Sequence, residues 1–168
     1  MTATLINNPL DNKSSIDEQL WNRLVARIQK DHEFQAFFGD EPKELQHQIA
    51  ESTIDQTVAF LVLVASSNGS ASYSPSEKVD IGWHTFLMYT REYAEFCQEI
   101  AGRMIHHAPS DVPGVDYGTG NASRTAQAIM DRGMFVDADL WVSMANCSSG
   151  GPDYCTGDSC SGSTCNGE

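Results

Sequence analysis

Basic side chains are scarce in this sequence. Its 168 residues hold 10 Lys and Arg against 23 Asp and Glu, a formal net charge of −13. Nucleic-acid affinity comes mainly from cations that displace counterions along the phosphate backbone, so the balance argues against that class of partner. A polybasic contact with an anionic membrane surface is disfavoured for the same reason. Long apolar runs are also missing. The longest, Val58 to Ala65, is eight residues, against the roughly 20 that a membrane span needs. The first ten residues, MTATLINNPL, show neither a basic start nor an apolar signal core. A soluble, cytoplasmic protein with no nucleic-acid or membrane partner is the expectation.

Compact chemical signatures are lacking as well. There is no HExxH, no nucleophile elbow, no phosphate-cradling glycine loop and no CxxC pair. The five cysteines are an odd number, and four of them fall in the last 22 residues. A secreted disulfide scaffold would spread an even number through the chain. Thiols crowded at one end point to metal, redox or modification chemistry instead.

Helical signals run through the rest of the chain. Residues 1–14 are polar and read as a flexible N-terminus. Ser15-Ile16-Asp17-Glu18 has the form of a capping box with Ser15 as N-cap. Leu20, Trp21, Leu24, Val25 and Ile28 follow at helical spacing, and Phe34, Phe37 and Phe38 extend the apolar character to Gly39. A second helix is expected after Asp40, with Pro42 in its first turn and Leu45, Ile49, Ile54, Val58, Leu61, Val62 and Ala65 as its core face. Residues 66–72 form a loop by composition. Ser74-Pro75-Ser76-Glu77 then offers a helix start, with Ser74 as cap and Pro75 in the first position. Thr90 opens another segment, carrying Tyr93, Phe96, Cys97, Ile100 and Met104, with Gly102 near its end. After a turn-rich stretch at 109–120, short helices are expected at 124–134 and at 137–144, the latter anchored by Leu140 and Trp141. No strand alternation or internal repeat stands out. The expected fold class is all-α: a compact multi-helix domain over residues 15–145, followed by a low-complexity, disordered Cys/Ser/Gly tail at 146–168.

The residues best suited to chemistry lie between 79 and 107. Asp80 and His84 are four apart, hence on one helical face. On an unbroken helix Val79, Trp83 and Cys97 sit near the centre of the apolar side, and His84 lies on its flank, about 140° from Val79. His106 and His107 are adjacent, so one can turn inward while the other meets solvent. A metal site drawing on Asp80, His84, Cys97 and one of His106 and His107 is one reading, because imidazole and thiolate suit zinc, copper and iron. The other is a His84–Asp80 hydrogen bond, Cys97 as a small core residue and a solvated histidine pair. A Cys97 nucleophile with His84 as base is set aside, since the thiol projects away from that imidazole. The domain is expected to be non-enzymatic.

The same segment resembles a known family. Val79-Asp80-Ile81-Gly82-Trp83-His84, then Tyr93, Phe96-Cys97 and Ile105-His106-His107, is similar to the glycine-rich domain-containing protein-like family, in particular to its small bacterial members. The likeness covers roughly residues 50–145, and Asp139-Leu140-Trp141 followed by a Cys-rich end adds to it. The resemblance implies a helical domain with a Gly-rich appendage and no defined catalytic reaction. It makes Asp80, Trp83 and His84 a built site, with Trp83, Tyr93 and Trp141 in structural roles. Plant relatives often show Trp-His-x-His, and Phe86 stands here in place of the second histidine.

Cys147, Cys155, Cys160 and Cys165 are separated by seven, four and four residues, which is not zinc-ribbon spacing. Four thiolates on such a chain can still gather a soft ion, zinc or copper. The expected function is therefore a metal-binding or interaction domain whose tail binds or senses a soft metal. The alternative is a ribosomally made peptide precursor, in which a modifying enzyme dehydrates the Ser and Thr residues of the tail and the cysteines close thioether rings. Gly150-Gly151 would be its leader junction, though Pro152 argues against cleavage there.

Overall fold

A computed structural model describes residues 11–67, 71–108 and 122–141. Among them the fold is all-α, with seven α-helices and no strand. They are α1 (Glu18–Ile28), α2 (His32–Phe38), α3 (Lys43–Ser67), α4 (Glu77–Leu87), α5 (Thr90–Ala101), α6 (Ala122–Asp131) and α7 (Ala138–Trp141), preceded by a short 3-10 turn at Asp11–Ser15. The low-complexity tail, with its four cysteines and the candidate leader junction, lies outside the described residues, as does the stretch 109–121.

Helix starts follow capping chemistry, two of them displaced from the expected residue. Asp17, not Ser15, caps α1, accepting from the amides of Gln19 (2.9 Å) and Leu20 (3.1 Å). A carboxylate there also meets the positive end of the helix dipole. The apolar run through Phe38 is not one helix. Asp31 starts α2 by accepting from the Glu33 and Phe34 amides at 2.8 and 3.3 Å. Ser76, two residues later than expected, caps α4. Its hydroxyl accepts from the Val79 amide (3.2 Å) and donates to the Leu140 carbonyl (2.6 Å), so one side chain both starts α4 and fastens α7 to it.

Helix α3 is the axis of the core and is contacted by α1, α4, α5 and α6. Residues 53–61 of α3 are buried on every face rather than along one stripe, whereas Leu45 is exposed and Ile49 and Val62 are half-buried. By length and composition alone α3 could cross a membrane, but 67% of its most apolar window is buried inside the fold. Its buried polar residues are satisfied internally. Gln56 donates to the Phe135 carbonyl (3.1 Å) and accepts from the Trp141 indole N–H (2.7 Å) and the Asp137 amide (3.1 Å).

Helix α4 lies against α3 at Gly82, where a Cβ would overlap Thr57 Oγ1. This close approach fixes α4 with Val79, Trp83 and Phe86 inward. As expected, a new helix opens at Thr90 after a break at Met88-Tyr89, with Thr90 as its first residue and no side-chain cap bond at the preceding Tyr89. Arg23 of α1 holds α5 from outside through Glu92 at 2.9 Å. Helix α5 ends as expected at Gly102, whose φ of 63° lies in the left-handed region that a side chain would disfavour. The chain then doubles back non-helically toward α4.

Candidate metal centre

Three side chains from two separate stretches meet on the outer flank of α4. Asp80 and His84 stand one turn apart on that helix, as their spacing predicts. The third, His107, arrives from the stretch beyond Gly102. Burial alternates there, with Ile105 inside, His106 outside and His107 half-buried, a pattern of non-helical backbone rather than of a helical turn. Burying Ile105 stabilises this stretch by about 1.5–3 kcal/mol and decides which histidine faces α4.

The ligating atoms are close together. His107 Nε2 lies 2.9 Å from Asp80 Oδ1 and 3.1 Å from His84 Nε2, and His84 Nε2 lies 3.4 Å from Asp80 Oδ2. Among the described residues, one donor atom from each of these three side chains can be chosen so that all lie within 4.8 Å of one another. An ion with ligand bonds of about 2.0–2.1 Å sets neighbouring donors about 2.9 Å apart at right angles and about 3.4 Å apart at tetrahedral angles. The three contacts fall within that window.

With Asp80 as a carboxylate, no choice of imidazole protons pairs all of these contacts. A ring nitrogen presents either one N–H or one lone pair. If only one Nε2 carries hydrogen, the lone pair of the other faces a carboxylate oxygen. If both carry hydrogen, two N–H groups face each other across 3.1 Å. If neither does, lone pairs and carboxylate converge unopposed. A cation between them satisfies every contact at once.

Exposure is graded across the centre. The side chains of His107, Asp80 and His84 are 18%, 28% and 47% exposed, respectively. The His84 side therefore opens to solvent. On the inner side the Trp83 ring contacts the His107 ring, with centroids 4.4 Å apart, and is backed by Phe60 at 5.2 Å. Trp83 Nε1 donates to Tyr93 Oη (2.8 Å), which donates to the Ile105 carbonyl (2.7 Å). Burial pushes the Tyr93 phenol well above the usual tyrosine range, the Trp83 N–H opposes this and the Cys97 thiol adds to it, so the hydroxyl stays protonated.

Two expected ligands are elsewhere. Cys97 is fully buried in α5, where it bears on Tyr93 rather than on the imidazoles. A helical wheel over one unbroken helix already sets Cys97 on the apolar side, away from His84, and the thiol is in the core. His106 is exposed on the opposite side of the chain from Ile105 and is not part of the cluster. The Tyr93 link to the Ile105 backbone has no signal in the sequence, since a phenol that holds a carbonyl leaves no spacing rule.

A family model described as UCP032817-like matches residues 21–126, from within α1 into α6, and so includes the whole centre. That description connects the chain neither to glycine-rich domain-containing proteins nor to an activity. No curated protein and no solved structure matches the chain significantly.

Proposed function

We propose that this chain, which belongs to the UCP032817-like family, is a metal-binding domain that holds zinc through Asp80, His84 and His107. The convergence of two imidazoles and a carboxylate, whose contacts imidazole protons alone do not pair while Asp80 is a carboxylate, carries this reading. Two imidazoles and a carboxylate are a donor set for zinc, and also for copper and iron. Zinc has no geometric preference of its own and accepts three protein ligands with the fourth position open, as the exposed His84 side provides. The surplus of acidic groups elsewhere in the chain favours capture of a cation. An open position on a solvent-facing flank suits holding and passing on an ion, a non-enzymatic role. The tail thiols Cys147, Cys155, Cys160 and Cys165 suit the same ions by their chemistry and serve as a separate binding segment.

The test separates the two thiol and imidazole sites. Full-length protein with those four cysteines replaced by Ser is titrated with zinc by calorimetry. One ion per chain is expected, with binding abolished in His84→Ala and His107→Ala and retained in His106→Ala. No stoichiometric binding by the parent protein would end this reading.

A further inference from the structure

The residue that completes the centre, His107, sits on backbone with no helical ladder to fix its position. Two contacts hold that backbone. One is the buried Ile105 side chain, and the other is the Ile105 carbonyl, which accepts from Tyr93 Oη at 2.7 Å. The Tyr93 hydroxyl oxygen in turn accepts from the indole N–H of Trp83 at 2.8 Å. The polarity of this relay is fixed by its ends. An indole nitrogen only donates and a carbonyl only accepts, so the phenol must accept from one and donate to the other. The relay starts one residue before His84 and ends two residues before His107. It therefore ties together the stretches that bear the two imidazoles.

We infer that Tyr93 is a positioning residue for the metal centre, its hydroxyl holding His107 at ligating distance from Asp80 and His84. This rests on the metal reading of those three residues. The hydroxyl, rather than the ring, does the positioning. A phenylalanine would keep the edge contact with Phe86 at 5.1 Å, but would leave the Trp83 N–H and the Ile105 carbonyl unpaired in the core. Buried groups so abandoned recover partners by moving, and the movable one is the non-helical stretch. A metal site tolerates only about 0.2 Å of error in its bond lengths. Loss of such an outer support weakens metal affinity about 10–100-fold in characterised sites.

The experiment uses the full chain with the four tail cysteines as Ser and cobalt(II) as the probe, followed by its ligand-field absorption. Tyr93→Phe is expected to keep a helical circular-dichroism spectrum and to bind cobalt about 10–100-fold more weakly than the parent. Ile129→Val in α6, which also lowers the melting temperature, is expected to leave the affinity unchanged. Tyr93→Phe that binds as tightly as its parent overturns the positioning role while leaving the metal centre intact. A parent that binds no cobalt overturns the metal reading, and the positioning role with it. Should Tyr93→Phe not fold, Trp83→Phe, which removes the other donor of the relay, is measured in the same way. An unchanged affinity there would reject the inference, and a weakened one supports it.

Discussion

The indole of Trp83 and the imidazole of His107 are in ring contact, 4.4 Å between centroids and tilted by 56°. An open-shell ion bound at the His107 nitrogen therefore lies within contact range of one of the three tryptophans in the chain. Copper(II) or cobalt(II) is expected to quench part of the protein's fluorescence, and zinc to quench far less. With the ion at saturation, Trp83→Phe should erase that response. Quenching that persists in the variant would place the ion near Trp21 or Trp141 instead.

Gly82 has a packing role that a helix position alone does not suggest. Alanine at this position gains about 1 kcal/mol in helix propensity. Against this, its Cβ overlaps Thr57 Oγ1 and lies 3.2 Å from the Thr53 carbonyl oxygen. Thr57 Oγ1 cannot swing away freely, because it is within bonding distance of the Thr53 and Val79 carbonyls. Overpacking of this kind destabilises by about 1–3 kcal/mol, so a net loss of stability is expected for Gly82→Ala. Thr57→Ala removes the obstructing oxygen, and the double variant should unfold at a higher temperature than Gly82→Ala alone. Absence of that rescue would refute the contact.

Gln56 fastens the C-terminal stretch to the central helix. Gln56→Leu leaves the Trp141 indole N–H and the Asp137 amide without their acceptor. At about 1–3 kcal/mol for each abandoned donor, denaturant unfolding should show a loss of about 2–6 kcal/mol. A loss below about 1 kcal/mol would mean that water replaces the amide without penalty.

Tyr93 couples stability to alkaline pH. Its phenol is held protonated in the fold, with a pKa above that of an unfolded tyrosine, about 10. The native state therefore retains a proton that the unfolded chain releases. The stability this contributes is complete below about pH 10 and is lost as pH rises toward the native value. Tyrosinate absorbance from Tyr93 should emerge only with unfolding, as a late component that Tyr93→Phe lacks. A titration with no such component would show that the phenol ionises in place.

The all-α class and most helices were legible because buried positions recur at helical spacing and turn residues interrupt them. Ser15 and Ser74 misled because several capping residues stand in a row, and only the folded chain selects Asp17 and Ser76. Asp80 with His84 was legible from spacing alone. Choosing His107 over His106 was not, because the choice follows from Ile105 turning into the core. Cys97 enters the candidate set through the chemistry of its thiolate, while its periodicity already points to the apolar side, where the structure has it. Gln56 offered no signal of its own, since Glu51, Ser52, Thr53, Asp55 and Thr57 around it are polar too, and its partners at 135, 137 and 141 are too distant for any pattern to reveal.

The three proposed ligands are drawn from a short span of chain. His107 follows His84 by 23 residues and Asp80 by 27. Closing a loop of this length carries a modest entropic penalty that grows only slowly with its size. Both helices that border the loop, and the long helix beneath them, precede residue 108. During synthesis every donor atom of the proposed centre, together with Tyr93, therefore emerges from the ribosome ahead of α6 and α7. An ion bound at that stage would tie α4 to the stretch after α5 before α6 and α7 pack against the long helix.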